Sequence, residues 1–445
     1  MKVGVSCFIT EVLMNKVFFF RRLFSFHSNH KLHSLLLIGA MLFTFLVSSA
    51  LAQTDVQNLA VVVNALDKDD WNVISSLSII DLDEPNLKRA VDEKVITIGD
   101  VPTDILIHGH IAYVPRFDWL SGMFSDNILI INLERREIIG TIPIQSGAYP
   151  QSLALITPNK MYVTCDNAHQ VHVVDIDSRS VTKIITDASF NKTTGITVLN
   201  GKAYVTNPAW EWDAAAGKSI YHQSTVTVID TQTDSVLSTI PMPINAGGIL
   251  NDGDSTVIVK TTGDYGSISG KLVLIDATTD EVIKTVNLKM TPGSFAINSQ
   301  KQLFIQGGWQ NPGLLIYDVP TQKWIRDKND TLAEFSGGSG MTFGPEGNLY
   351  ITKPDWTGGG LSTMLVMGPD ETLIKTYELG HGTDKVALAQ IIPRDEDVDD
   401  DGFINTKDLV IVGQNFGQSG PGIVGDVNGD GEVNILDLAR VAQHF

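Results

Sequence analysis

From Gln53 to Pro393 the chain is a succession of short apolar runs separated by polar turns. Six of these runs end in Asp or Asn: SLSIID at Asp81, NILIIN at Asn132, VHVVD at Asp175, VTVID at Asp230, KLVLID at Asp276 and LLIYD at Asp318. TMLVMG, ending at Gly368, is a degenerate seventh. Each is followed by a turn and a second run, as in TQTDSVLSTIPM and ATTDEVIKTVNL. Most are preceded by AYVP, MYVT, AYVT, LFIQ or LYIT, and before these come segments such as PQSLALIT, TTGITVLN or PGSFAINS. β-Branched and aromatic residues fill the runs, and Gly, Asn and Asp mark the joints, so each unit reads as four short strands.

The intervals between the marked ends are 51, 43, 55, 46, 42 and 50 residues, the spacing of propeller blades, about 40 to 50 residues each. The first unit begins at its second strand, LAVVVNA, and has no innermost one. The last is followed by a spare strand of the innermost type, KVALAQII, from Lys385 to Ile392. If the spare fills the gap, seven four-stranded blades close into a ring and few strand edges stay exposed. The units MYVTC…VHVVDIDSRSVTKII and AYVTN…TVTVIDTQTDSVLSTI resemble the YVTN-repeat propellers. The resemblance covers about 340 residues and implies a fold more than a function, because such propellers serve as binding, surface-layer and cofactor-carrying proteins alike.

The tail has a different pattern. DVDDDGFINTKDLVIVGQNF, 397–416, and DVNGDGEVNILDLARVAQHF, 426–445, agree at ten of twenty positions at a shift of 29. Asp397, Asp399, Asp401, Asn405 and Asp408 occupy loop positions 1, 3, 5, 9 and 12, and Asp426, Asn428, Asp430, Asn434 and Asp437 occupy the same positions in the second copy. A hard cation such as calcium takes six to eight oxygens, and this spacing supplies them, with backbone carbonyls of Phe403 and Glu432 at position 7. Gly402 and Gly431 permit the sharp turn at position 6, and Ile404 and Val433 at position 8 are placed to pair the two loops. Leu409, Val412 and Phe416, matched by Leu438, Val441 and Phe445, predict one apolar stripe on a short helix after each loop. Two calcium sites are therefore expected. The duplicated loop-plus-helix pattern, with Asp at position 12, resembles a type I dockerin. The resemblance implies docking onto a cohesin-type domain of a scaffold or surface protein, with positions 10 and 11 helping to select the partner. Those positions hold Thr406-Lys407 and Ile435-Leu436, so the two copies differ and the usual Ser-Thr pair is absent from both.

Ahead of the repeats, Lys16, Arg21, Arg22 and Lys31 precede an apolar run from Leu35 to Val47 that closes on Ala50-Leu51-Ala52. This is the layout of a signal peptide over 1–52, with translation starting at Met1 or Met14, and it predicts a secreted or cell-surface protein with no membrane span in the mature chain. The expected division is then 1–52 signal peptide, 53–393 propeller and 394–445 calcium-binding dockerin-like domain. The full chain carries a net charge of −19, and removing the basic leader makes the remainder more acidic still. Nucleic acid is accordingly excluded as a partner. Of the two cysteines, Cys7 lies in the leader, which leaves Cys165 without an intrachain disulfide partner. It stands at a strand end with no His/Asp pattern beside it, so a buried inert thiol is expected.

The loops joining second to third strands hold Trp71, Trp119, Trp210, Trp212, Trp309 and Trp356, and in a propeller these loops share the face of the channel mouth. Asp118 and Glu211 adjoin two of them, and Phe117 and Tyr265 extend the set. Two readings stand: each Trp packs over its neighbouring blade, or the rim offers aromatic platforms and acidic acceptors to a glycan. His169, His172, His222 and His381 fall on the same face without a recurring ligand spacing and read as scattered surface residues. The expected function is an exported, noncatalytic protein whose propeller binds a glycan or protein while its tail docks. The alternatives are a polysaccharide-degrading enzyme with carboxylates at the mouth and, third, a cofactor-binding or redox propeller.

Overall fold

The computed structural model describes residues 57–65, 75–99, 101–117, 126–308, 313–355, 361–380, 382–391, 396–399, 404–420, 423–428 and 431–443, with only the backbone described at 92–95. Seven antiparallel sheets form a seven-bladed β-propeller, followed by a small helical region. Innermost strands are Pro150–Thr157, Ile196–Leu199, Ala246–Asn251, Pro292–Ile297, Gly340–Phe343 and Thr383–Ile391; in blade two this position is split between Val101–Pro102 and Leu106–His108.

The burial pattern follows from the layering. A third strand lies between the sheets of two neighbouring blades, so both of its faces are covered: all six residues of Asn127–Asn132 are buried. An outer strand meets solvent, and Glu281–Asn287 is almost wholly exposed. The closing sheet is built as the strand count predicts. Thr383–Ile391 pairs antiparallel with Gln57–Asn64, placing Leu59 opposite Ala389 and Val61 opposite Ala387. Ser76–Asp81 and Val91–Thr97 complete it. The first and last strands of the ring thus share one sheet, and Leu59, Val61, Ala389 and Ile391 enter one apolar cluster.

The repeated K-x-Y-V-T segment has a structural purpose. In blade four, Tyr204 Oη donates to Asp280 Oδ1 at 2.7 Å and to the Ala277 carbonyl at 3.1 Å, while Lys202 Nζ pairs with Asp280 at 2.9 Å. Asp280 lies on the next blade, in the turn between its third and outer strands. Blade three repeats the device, Lys160 and Tyr162 both reaching Asp234. Asp234 and Asp280 adopt φ of 53° and 59°, in the left-handed region that Asp tolerates better than most residues. Burial and the facing carboxylate hold the Tyr204 phenol well above its ordinary range. Tyr204→Phe removes the phenol's hydrogen bonds and leaves the Lys202–Asp280 pair. It is expected to cost about 1–2 kcal/mol, read as a lowered melting temperature with an unchanged far-UV spectrum.

Candidate functional site

Blade four departs from the repeat between its second and third strands, where a hairpin of Trp210–Asp213 and Lys218–Tyr221 is added. Trp210 stands opposite Tyr221 and Trp212 opposite Ser219. Asp213 closes the turn by accepting from the amides of Ala215 and Ala216 at 2.9 and 3.0 Å, and Gly217 takes φ of 60°. Strand alternation puts Trp210 and Trp212 on one face of the ribbon.

The hairpin walls a basin of about 640 Å³, lined also by Phe117, Tyr149, Asp166, Lys192 and His222. Phe117 stacks on Tyr149 with centroids 4.7 Å apart. Lys192 Nζ sits 4.7 Å above the Trp210 ring and 3.8 Å from Asp166 Oδ2. The other oxygen of Asp166 is buried and accepts no hydrogen bond. Burial pushes the Asp166 carboxyl above the usual carboxylate range, against the pull of Lys192 and His169. Exposed Glu211 meets His222 at 3.1 Å.

The two tryptophans separate the readings of the rim. Trp210 is partly buried beneath Lys192, as expected of a packing residue. Trp212 is 61% exposed although the paired strands hold it in place. Trp71, Trp119, Trp309, Trp356 and Asp118 lie outside the described residues, as do His381 and the segment 1–52. Phe117 joins the basin, whereas Tyr265 lines the central channel and meets Tyr221 of the hairpin at 6.1 Å. Of the described histidines, His169 and His222 are exposed and line the basin, whereas His172 is fully buried and departs from the surface reading. Tyr149, Asp166 and Lys192 lie on strand ends and connections of neighbouring blades, so no local motif marks them. Cys165 is fully buried, and burial raises its thiol far above the ordinary range, as expected of an inert core residue.

In the tail, Asp397, Asp399 and Asp408 bring carboxylate oxygens within 4.8 Å of one another. Helix α1, Thr406–Gln414, and helix α2, Ile435–Ala442, start at Asn405 and Asn434, each within a capping box. The position-12 residue completes each box. Asp408 accepts from the amides of Val398 at 2.7 Å, Asp399 at 3.2 Å and Asn405 at 2.7 Å; Asp437 accepts from Asn428 at 3.1 Å and Asn434 at 2.8 Å. Asp426 accepts from Gly431 at 2.8 Å, which turns the second loop back at its position 6. Burial and the charge of Asp397 hold the Asp408 carboxyl above its ordinary range. Crowded carboxylates offering only oxygen donors fit a hard divalent cation. Asp401, Gly402, Phe403, Asp430 and Phe445 lie outside the described residues.

Ile404 and Val433 share one apolar cluster with Val412, Val427 and Val441. The backbone of Val433, however, pairs with Gly417 and Gln418 of the connecting segment. Phe416 departs from the expected stripe: α1 ends at Gln414, and Phe416 beyond it is 53% exposed. Arg440 of α2 donates to buried Glu396, drawing the two ends of the unit together. His110, on a turn between innermost and second strands, lies 3.2 Å from Asp397. Such turns emerge on the face opposite the second-to-third-strand loops, so this contact lies away from the Trp210 hairpin.

Fold and tail together define a class, a β-propeller carrying a duplicated loop–helix module. Residues 395–445 match the family model for the Dockerin type I domain, and that segment is a type I dockerin domain. The comparison with curated proteins returned no match. Among solved structures, a hypothetical selenium-binding protein from Sulfolobus tokodaii is similar at 12% identity and TM-score 0.56, over 76% of this chain and 95% of that one. A quinoprotein alcohol dehydrogenase-like protein from Bacteroides thetaiotaomicron is similar at 12% identity and TM-score 0.51, over 73% and 77%. A functionally unknown protein from Desulfotomaculum acetoxidans gives 12% and 0.51, over 75% and 99%. At these identities the likeness is one of fold alone. Among the described residues no helix is long and apolar enough to cross a membrane.

Proposed function

We propose that this is an exported docking protein: its dockerin domain, loaded with calcium at two loops, attaches the chain to a cohesin-bearing partner, and its propeller presents a glycan-binding basin. The export signal is assigned to 1–52, the propeller to 53–393 and the docking domain to 394–445. Support for attachment comes from the family match over 395–445 and from the exposure of Ile435 and Leu436 at partner-selecting positions. The 3.2 Å contact of Asp397 with His110, on the face opposite the Trp210 hairpin, supports docking that leaves the basin accessible.

The single observation carrying the glycan reading is Trp212, an indole held open to solvent at the edge of a basin that also offers Glu211, Asp166 and Lys192. The indole provides a flat apolar platform for a sugar face, and the carboxylates accept from its hydroxyls. Trp212→Ala is expected to weaken binding to a responsive polysaccharide about tenfold, near 1.4 kcal/mol, measured by affinity electrophoresis across a panel. Unchanged mobility shifts for every member that binds the wild type would refute the platform.

One observation favours a hydrolytic second reading: the basin pairs a carboxyl raised by burial, Asp166, with an exposed one, Glu211. Glycoside cleavage uses two carboxyl groups, one of them held protonated by its surroundings. Reducing ends released by the wild type, and lost in both Asp166→Asn and Glu211→Gln, would establish that reading over simple binding.

A further inference from the structure

The central channel holds a second cavity of about 610 Å³, a volume ordinary for a small-molecule site. Among its described lining residues only three are charged: Asp104, Lys260 and Lys385. The balance is positive in a chain whose net charge is −19.

Lys260 stands where three sister blades have threonine, Thr164, Thr206 and Thr352, and the other three have Val63, Pro115 and Gln306. Thr164 donates to the Thr194 carbonyl, Thr206 to the Gly247 carbonyl at 3.3 Å and Thr352 to the Asp384 carbonyl at 2.8 Å, each reaching the next blade at or just before its innermost strand. Lys260 makes the equivalent bond to the Gly293 carbonyl, but with an ammonium where a hydroxyl suffices elsewhere. Room for it comes from Gly248, where a Cβ would stand 2.8 Å from Lys260 Cε. Among the described residues no carboxylate lies within ion-pair distance of its amine. Lys385 Nζ is 3.8 Å from Asp384 Oδ2, at the limit of pairing. Asp104 already accepts the amides of Ile105 at 2.9 Å and Leu153 at 3.1 Å. Burial and the charge of Lys385 lower the Lys260 amine to about 8. Lys260 is half-buried with its amine 5.3 Å over the Phe295 ring. An ammonium partly withdrawn from water without a counter-charge is costly, and a threonine would make the same blade-to-blade bond without that cost.

We propose that the channel binds a hydroxylated carboxylic acid of uronic-acid size, its carboxylate held between Lys260 and Lys385. The rest of the lining suits the rest of such a ligand. Gln151, Asn245 and Ser294 offer hydrogen bonds to hydroxyls, and Phe295 and Tyr265 offer a face to ring carbons. Tyr265 is also the ring that meets Tyr221 of the Trp210 hairpin, so an acidic sugar at the end of a chain could continue outward toward the basin. The site stands independently of that basin.

Glucuronate, glucose and inorganic phosphate titrated separately into the full chain by calorimetry test this. Glucuronate is expected to bind, glucose to bind at least tenfold more weakly, and phosphate to bind more weakly than glucuronate. Lys260→Thr keeps the blade-to-blade bond and so keeps the fold; it is expected to cut glucuronate affinity at least tenfold, as is Lys385→Met. Raising the pH from 7 to 9 should weaken glucuronate binding to the wild type, because Lys260 loses its proton there, with Lys385 and Asp104 the charged groups facing it. The proposal is overturned by absence of glucuronate binding, by undiminished binding in Lys260→Thr, by a flat pH response in the wild type, or by phosphate binding as tightly as glucuronate. Trp212→Ala should leave glucuronate affinity unchanged, which separates failure here from failure of the basin.

Discussion

Stripping calcium from the full-length protein with a chelator is expected to melt the dockerin domain and leave the propeller folded. The domain's apolar core is small: Ile404, Val412, Val427, Val433 and Val441, with Val398, Leu409, Ile423 and Leu438 partly buried against them. A unit of about 50 residues rarely folds on so little apolar burial. Against it stands the mutual repulsion of Asp397, Asp399 and Asp408, whose oxygens crowd within 4.8 Å. A cation converts that repulsion into cohesion, and calcium at a thousandfold above its dissociation constant contributes about 4 kcal/mol per site. Chelation removes that contribution and restores the repulsion. Helical ellipticity should fall and proteases should cut between 396 and 445, while the main calorimetric transition of the propeller persists and added calcium reverses the change. If the tail stays equally protected in chelator and in calcium, the metal-dependent fold is refuted.

The fold was legible because its physics is repetitive. Each blade has a buried third strand, and in six of the seven it ends in a turn-forming Asp or Asn, from Asp81 to Asp318. The absence of an innermost strand before Leu59 and its surplus after Gly382 could be counted, so ring closure could be foreseen. The tail was legible for a similar reason, since ligand spacing in a calcium loop is local. Phe416 misled because an i, i+7 stripe assumes the helix continues, whereas α1 stops at Gln414. The basin was legible only in part. Trp210, Glu211 and Trp212 signal themselves by their density, but Tyr149, Asp166 and Lys192 are ordinary residues brought alongside by blade packing. Lys260 carried its own signal: aligned with Val63, Pro115, Thr164, Thr206, Gln306 and Thr352, it is the one cation at a position otherwise held by neutral residues.

Replacing Ile435 and Leu436 together by Asp is expected to abolish capture of the protein by its cohesin. These residues open α2 and are 65% and 59% exposed. An apolar pair held open at the start of a helix is a contact surface more readily than a packing residue. Covering two such side chains contributes roughly 3 kcal/mol or more, so affinity should fall at least about a hundredfold. The substitution is also chosen to spare the fold. The core-facing residues of α2 are Leu438 and Val441, and acidic side chains in a first helical turn interact favourably with the helix dipole. Loss of binding would therefore not be loss of structure, and calcium-dependent ellipticity should match the wild type. The first copy provides the comparison, because Thr406 and Lys407 occupy the equivalent positions with polar side chains. Thr406→Asp with Lys407→Asp should change affinity by no more than about threefold, or about 0.7 kcal/mol. Calorimetric titration of both double variants with a panel of purified type I cohesins measures the asymmetry. Equal losses would mean that the two copies serve as interchangeable faces and would remove the role assigned to the apolar pair, whereas loss confined to the first copy would move the contact to α1.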